Sequence, residues 1–477
     1  MQNRCFVILA LIWFALLLPD LSARYSFGWD SSQFDRGAVH FDIARHQPHP
    51  PGYPLWCLSI RALAPIVGNP NRAQVVLAML FTIAALGFFR ALTRDLLGER
   101  IALAATALLA FSPFVLLYAN SSQIYAVDLF ASCFGGWLAA ALRSGRTRFL
   151  IPGFAVLALT AGFRPSGVTF LLPFLCFALW PAALKQPLRA MAGIATGAAV
   201  CLAWLVPTAL SAGGFGAYHA LTDAEVAGSI QKTSIFYGAP PVVHFKMIIA
   251  VCAYFAIALA GFAIPLAVAL WRRRATFAGS LSPSCTPLFF LLWLAPNLAF
   301  LFLLHGFGSR GYSMLSLPPL AILFAWFARH ALSDTAVPLA GIGVFLLVSF
   351  FPFERFIHSE DIAMLFLRST PRITRLIEAE QRQLRSLIDS MPGRADEKLM
   401  FCLSPQFEAP NMRTVTFDFA DVAWIEGDAP HTSIPAGVRS LGWVCKGRTL
   451  PSAIRERFPQ VHSVGGNELY SLWTVVR

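Results

Sequence analysis

Apolar runs long enough to cross a lipid bilayer recur along this chain between residues 5 and 352. Because a helix needs about 20 residues to cross the hydrocarbon core, we count about eleven such runs, several of them short. The chain is 57% hydrophobic and only 13% charged, with a mean hydropathy of +0.62. These features predict an all-α polytopic membrane protein over residues 1–352. The runs cover residues 5–18, 73–92, 101–118, 124–142, 149–162, 167–181, 190–211, 245–270, 288–304, 312–327 and 337–351.

The positive charge of the chain indicates its topology. The formal net charge is +12, but Lys and Arg lie mainly in short clusters between apolar runs. If Arg4 is cytoplasmic, every later cluster is cytoplasmic as well, as the positive-inside rule requires. We therefore expect membrane lipids as partners and no nucleic acid. The clusters contain Arg90, Arg94 and Arg100; Arg143, Arg146 and Arg148; Lys185 and Arg189; Arg272, Arg273 and Arg274; and Arg329.

The first apolar run has two interpretations. It resembles a signal peptide with Ala23 near a cleavage point. We favour an uncleaved first span, because the cleavage signature is weak and a polytopic chain needs a start. The resulting topology places the first outer loop, residues 22–54, and all residues after 353 on the extracytoplasmic side.

Residues 55–67 are apolar but fit no span. Counting them as one would invert every later loop and place the arginine clusters outside. The segment is also short and contains Arg61. We expect an interfacial helix that anchors the first outer loop against the bilayer.

The composition changes to that of a soluble segment after residue 353. Residues 371–391 carry apolar side chains at helical spacing and open on a proline. Short strand-like runs follow at residues 399–403, 414–419, 422–425 and 469–476. The sequence therefore predicts a small extracytoplasmic α/β domain over residues 353–477.

The first outer loop concentrates polar side chains that could carry chemistry. Asp30, Asp35 and Asp42 lie there, and partial desolvation at a membrane surface favours proton uptake by a carboxylate, which suits a general base. Solvated charge on an outer loop is the alternative explanation. The run HPPGYP, residues 49–54, fixes φ repeatedly and withholds backbone donors, so it predicts a rigid corner beside these carboxylates. Gly52 permits a backbone conformation that its neighbours cannot reach.

These residues carry a resemblance to a known family. Asp30-Ser31, then Gln33-Phe34, and then HPPGYP leading into an interfacial helix resemble the first outer loop of the GT-C superfamily, membrane glycosyltransferases that use polyprenyl-phosphate sugars. The similar group is the bacterial dolichyl-phosphate-mannose-protein mannosyltransferase-like enzymes. The resemblance covers most of residues 1–351 and not the C-terminal domain. Further matching segments are residues 120–129, 162–165, 311–312 and 318–319.

The resemblance implies an inverting sugar transfer to an acceptor on the outer side. Asp30 matches the family's first-loop aspartate, the expected base, which takes the proton of the acceptor hydroxyl. Relatives often have glutamate where this chain has Gln33, so Asp35 competes for the role. The leaving polyprenyl phosphate is already a stable anion, so no general acid is needed as in a glycosidase. The sugar and the acceptor, whether protein, glycan or lipid, stay open.

A departing phosphate needs positive charge. Arg310 is our first candidate, because Gly306, Gly308 and Gly311 let backbone amides approach an anion, and Arg164 is the second. Both lie in outer connections that the positive-inside rule would leave uncharged, although snorkelling to lipid headgroups explains each equally well.

Aromatic and imidazole side chains complete the expected site. We expect His49, Tyr53 and Tyr312 to line the substrate pocket, while aromatic residues at membrane interfaces often serve only as anchors.

Two alternatives concern a metal and a different class of protein. Histidines 40, 46 and 49 with Asp30, Asp35 and Asp42 could form a divalent-metal site, but their spacing fits no motif. A transporter or flippase would place ionisable residues at mid-bilayer depth and break its spans. Here polarity is concentrated in the outer loops. That distribution favours interfacial chemistry over translocation.

Overall fold

A computed structural model describes residues 2–272, 286–304, 310–402, 419, 421–426, 437–446, 450, 452–466 and 470–476. The chain divides into two compact units. The first contains Met1–Ser22 and Gln33–Ile373, and the second contains Ala23–Ser32 and Thr374–Arg477.

The first unit is a bundle of helices, many of which begin at a proline, a residue whose fixed φ and missing N–H suit the first helical position. The helices are α1 (Gln2–Leu17), α2 (Trp29–Val39, shared with the second unit), α3 (Pro54–Val67), α4 (Pro70–Leu97), α5 (Glu99–Phe111), α6 (Pro113–Ala119), α7 (Ala126–Arg143), α8 (Leu150–Phe163), α9 (Pro165–Lys185), α10 (Pro187–Ser211), α11 (Phe215–Gln231), α12 (Pro241–Leu259), α13 (Ala263–Trp271), α14 (Pro287–Ala299), α15 (Leu317–Phe327), α16 (Arg329–Leu332), α17 (Ala336–Phe350) and α18 (Glu360–Arg368). A π-helical segment, Phe300–Leu304, continues α14.

Short 3-10 segments join several of these helices. They cover Leu18–Ser22, Ile43–Arg45, Thr147–Phe149, Ile235–Tyr237, Ala260–Phe262, Gly311–Leu315 and Phe353–Phe356.

The apolar runs of the sequence are helical over most of their length where the structure describes them. Six helical segments in the described part of the chain are long and apolar enough to cross a bilayer, or seven if α5 and α6 count as one span bent by 64°. Pro113 opens α6 at this bend, since proline cannot continue the hydrogen bonding of a preceding helix. Five apolar helices are shorter. They are Val7–Ser22, Pro54–Val67, Thr147–Phe163, Leu317–Phe327 and Ala336–Phe350.

Helix α7 is the centre of the bundle. Of its apolar window, 83% is buried, more than in any other candidate span of the described chain. Small residues permit this packing: a methyl group at Gly136 would overlap the Trp293 ring of α14. Ser132 of α7 also donates to the Leu315 carbonyl at 2.6 Å and accepts from Trp293 Nε1 at 3.0 Å. Close helix approach through small residues is the usual packing mode where lipid replaces water.

The second unit contains a five-stranded sheet of order β2-β1-β3-β5-β4. Strand β1 is parallel to β2 and β3, and β5 is antiparallel to β3 and β4. The unit also contains helix α19 (Arg372–Ser390), which begins at the end of the first unit, and helix α20 (Ser452–Arg457). A 3-10 turn, Ala395–Glu397, leads into the sheet. The strands are β1 (Lys398–Cys402), β2 (Ala423–Glu426), β3 (Ser440–Lys446), β4 (His462–Gly466) and β5 (Tyr470–Val476).

Both faces of this sheet are covered. Leu384 and Ile388 of α19 pack with Met400 on one face, and Ile454 of α20 packs with Trp443 on the other. Successive side chains along β1 and β3 point to opposite faces of the sheet, so neighbouring residues belong to different hydrophobic cores. The small C-terminal sheet domain predicted from the sequence is confirmed. The strand expected at residues 414–419 lies almost wholly outside the described residues.

A half-buried ion pair stabilises the end of the first unit. Arg372 donates two hydrogen bonds of 2.5 Å to Glu354, whose side chain is 14% exposed. These hydrogen bonds lower the pKa of Glu354. A carboxyl whose pKa is lower when folded contributes stability above its unfolded pKa and loses it as the pH falls through the folded pKa.

We therefore expect Glu354→Gln to lower the free energy of unfolding by about 2 kcal/mol at pH 7. The difference from the wild type should disappear as the pH falls into the acidic range. Thermal denaturation of purified protein in detergent across pH measures this effect. Asp396→Asn is the control, because its ion pair with Arg394 is exposed and should contribute little. A pH-independent defect in Glu354→Gln would contradict the assignment.

Candidate active site

The first outer loop contains helix α2, which the sequence analysis did not predict. Asp30 lies in the first turn of α2 and is half-buried, and Asp35 follows five residues later. Because five residues turn an α-helix by about 140°, the two carboxylates leave it on different sides. Asp30 therefore lies near the helix N-terminus, where the helix dipole stabilises an anion. The division between the two units passes through α2, between Ser32 and Gln33.

The proline-rich corner has a sharply constrained backbone. Peptide bonds Gln47–Pro48 and Pro50–Pro51 are cis, and Tyr53 has a φ of 49°. Gly52 has a φ of 109°, and a Cβ there would also lie 2.8 Å from Ile43 Cδ1, so only glycine fits. Helix α3 starts directly after this corner.

A hydrogen-bonded chain joins the corner to α2. Gln33 Oε1 accepts from the His49 backbone N–H at 3.0 Å and lies 2.6 Å from His49 Nδ1. An amide oxygen only accepts, so Nδ1 carries the ring proton and Nε2 accepts from the Tyr53 hydroxyl at 3.1 Å. The Phe34 ring packs against both the His49 and Tyr53 rings. This chain fixes the orientation and tautomer of His49.

Asp35 belongs to a second polar contact. Gln74 Nε2 of α4 donates to Asp35 Oδ1 at 2.7 Å, and Gln74 Oε1 accepts from Trp56 Nε1 of α3 at 3.4 Å. Gln74 and Trp56 are fully buried, whereas Asp35 is half-buried. Gln74 of α4 thus connects to α2 through Asp35 and to α3 through Trp56. No feature of the sequence around Gln74 predicted this role.

Arg164 lies in a buried ion pair. Its Nε donates to Asp128 Oδ2 of α7 at 2.6 Å, and the two side chains are 3% and 0% exposed. The guanidinium also lies 4.4 Å from the Tyr125 ring centroid and 4.8 Å from that of Tyr312, which places it in cation–π range of both. The sequence analysis overlooked Asp128. A lone carboxylate inside an apolar run was the available signal, since such residues are costly in a membrane.

Arg310 lies two residues before Tyr312, a member of this aromatic group. Arg310 precedes the 3-10 segment Gly311–Leu315, and its Nη1 is buried without a hydrogen-bond partner in the described part of the chain. No described carboxylate forms an ion pair with it. A methyl group at Gly311 would overlap the Tyr125 ring, so glycine is required for this approach. Residues 306 and 308, whose glycines the sequence analysis invoked, lie outside the described residues.

The structure brings several of the predicted residues together. Tyr312 contacts Arg164 directly, and Tyr53 lies within electrostatic range of the same guanidinium. His49 joins them through Tyr53. Among the described residues, no group of three His, Cys, Asp or Glu side chains is arranged to hold a metal ion.

Comparisons with known proteins agree with this architecture. Residues 48–210 match the family model described as dolichyl-phosphate-mannose-protein mannosyltransferase. The fold is similar to the crystal structure of ArnT from Cupriavidus metallidurans bound to undecaprenyl phosphate, with a TM-score of 0.63, 13% identity, and coverage of 99% of this chain and 98% of that one. The chain has the GT-C glycosyltransferase fold. The resemblance predicted from the first loop is therefore confirmed.

A second structure extends the comparison. The apo state of the same ArnT matches with a TM-score of 0.57 and 13% identity over the same shares of the two chains. No curated protein sequence matches this chain. The GT-C fold and its apolar helices make this an integral membrane protein, and the matches support a membrane glycosyltransferase.

The Gln33 contacts give a first prediction for the site. Gln33→Leu removes the acceptor for two half-buried donors of His49, so we expect a loss of about 1–3 kcal/mol of stability. Gln33→Glu keeps the acceptor and should retain most of that stability. Thermal denaturation of the two purified variants measures the difference. Equal midpoints for both variants would show that the His49 contacts contribute nothing.

The Asp128–Arg164 pair gives a second prediction. Asp128→Leu or Arg164→Met alone leaves an unpaired buried charge and should destabilise the protein by about 3–5 kcal/mol. The double variant removes both charges and should recover most of that loss. A double-mutant cycle by thermal denaturation tests this, and additive losses in the double variant would contradict it.

Proposed function

We propose that this protein transfers a sugar from a polyprenyl-phosphate donor to an acceptor on the extracytoplasmic face, with inversion at the anomeric carbon. The observation that carries the proposal is the GT-C fold, which extends over 99% of the chain. The sequence adds the HPPGYP run, which follows Asp30 and Asp35 in the same loop. ArnT with this fold has been crystallised with undecaprenyl phosphate. The short loops and the resemblance to the bacterial mannosyltransferase-like group favour a bacterial inner membrane as the setting, with the site facing the periplasm.

Asp30 is the proposed base. Asp30 lies in the first turn of α2, is half-buried, and matches the first-loop aspartate of the family that the sequence resembles. A general base in this position takes the proton of the acceptor hydroxyl as that oxygen attacks the anomeric carbon. Asp35 already accepts a hydrogen bond from Gln74, which directs it into the contact between α2 and α4. We therefore assign Asp35 to organising the first loop rather than to proton transfer.

Arg310 is the proposed partner of the donor phosphate. Its cationic charge is unbalanced by any described carboxylate, and its buried Nη1 lacks a partner in the described chain. Arg164 differs, because Asp128 neutralises it and the aromatic rings of Tyr125 and Tyr312 surround it. Arginine binds phosphate strongly through its planar donors. Arg164 then acts mainly by holding Tyr312 beside Arg310, with Tyr53 and His49 on the substrate side.

Two observations support the transporter alternative. The Asp128–Arg164 pair lies inside the helical bundle, and α5 and α6 form a span bent by 64°. Charged pairs and broken spans are features of transporters. The proposal of sugar transfer is preferred because a transporter requires no first-loop aspartate and no likeness to the mannosyltransferase family model.

Sugar transfer by purified protein in lipid vesicles tests the proposal. A panel of radiolabelled polyprenyl-phosphate sugars supplies the donor, and release of label from the polyprenyl phosphate is measured. We expect Asp30→Asn to lower turnover by at least about 100-fold with donor binding retained, because general base catalysis typically contributes that much. Asp35→Asn should show a smaller loss of turnover together with lower thermal stability.

Further variants separate donor binding from chemistry. Arg310→Gln should weaken donor binding, whereas Arg100→Gln, in a predicted cytoplasmic cluster, is the matched control and should bind normally. If no donor binds or turns over, while the same vesicles move a lipid-linked sugar across the bilayer, the transporter alternative replaces the proposal.

A further inference from the structure

A cavity of about 260 Å³ lies between the first outer loop, α3 and α10. We call it the lateral cavity. Its lining is almost entirely apolar and includes Ala38, Phe41, Leu58, Ala203 and Pro207. Neither the hydrogen-bonded chain of His49 nor the Arg164 cluster contributes a residue to it, so the proposed sugar transfer leaves it unused.

The surroundings of the lateral cavity match a hydrocarbon ligand. Helix α10 is long and apolar enough to cross the bilayer, yet only 17% of its apolar window is buried in the protein, so most of this helix is left for lipid contact. Leu58 at the rim is 58% exposed, and Ala203 opposite is also exposed. A flexible acyl chain can fill such an opening, whereas water would find few polar partners there.

Arg61 supplies the charge that selects the headgroup. It lines the cavity, its side chain is exposed, and no carboxylate of the described residues forms an ion pair with it. Arginine near a membrane surface extends its guanidinium toward lipid phosphates while its stem stays on apolar surface. The positive-inside rule gives no reason for a cation at the outer face, where the charge distribution places α3.

We propose that the lateral cavity binds one acyl chain of an anionic glycerophospholipid of the outer leaflet, with the headgroup phosphate at Arg61. The charge distribution brings the C-terminal end of α10 to the same outer face as α3, so the cavity lies at the depth of that leaflet. The bound lipid fills the space between α3 and α10 and thereby supports the helix that follows the proline-rich corner. This inference is independent of the donor and of sugar transfer.

Lipid retention tests the proposal. Protein is reconstituted in nanodiscs of phosphatidylglycerol and phosphatidylcholine in equal amounts with the same acyl chains, then extracted and examined by native mass spectrometry. We expect the wild type to retain phosphatidylglycerol several-fold over phosphatidylcholine. Arg61→Gln should lose this selectivity while still retaining lipid.

A second experiment fills the lateral cavity with a larger side chain. Ala203→Trp and the milder Ala203→Leu should lower the amount of retained lipid, since both side chains enter the space of the acyl chain. Ala198→Trp is the matched control, because Ala198 is an exposed alanine on the same helix that does not line the cavity. Unchanged retention in both Ala203 variants would overturn the proposal. A wild type that retains both lipids equally would also overturn it.

Discussion

The buried ion pair between Asp128 and Arg164 is the contact around which the membrane unit is arranged. It joins the first turn of the central helix α7 to the connection between α8 and α9, at a point with almost no access to water. An unpaired charge would be very unfavourable there, so each residue requires the other. The guanidinium in turn holds the rings of Tyr125 and Tyr312. One electrostatic contact thus fixes the relative positions of three segments that are far apart in the sequence.

The first outer loop shows how side-chain hydrogen bonds make a short polar segment rigid. Gln33 orients His49, His49 accepts from Tyr53, and Gln74 holds Asp35 between two helices. Each polar side chain in this group has its position set by a partner from a different helix or from the proline corner. Such support is what keeps reactive groups in a productive geometry. The loop is therefore part of the helical bundle rather than an appendage of it.

The sequence predicted the helical membrane unit, the helix of residues 371–391 and several strands, because apolar runs and helical spacing are local signals. It did not predict α2, because charged residues and Gly37 interrupt the apolar spacing expected of a helix with one buried face. It also did not predict β3 and β4, because apolar and polar residues do not alternate regularly along them. Asp128 and Gln74 were missed for a different reason. Their roles depend on partners 36 and 39 residues away, and no single-chain pattern encodes such pairings.

Under the proposed function, the difference between buried Arg164 and half-buried Arg310 has a consequence for the reaction cycle. Arg164 is electrically balanced by Asp128, whereas Arg310 is not paired with any described carboxylate. A polyprenyl-phosphate sugar is a phosphodiester with one negative charge, which a single unbalanced cation would neutralise. Loss of the sugar leaves a phosphate monoester that approaches two negative charges near neutral pH. The pocket would then hold excess negative charge in proximity to lipid, so its electrostatics would favour departure of the spent carrier over its retention.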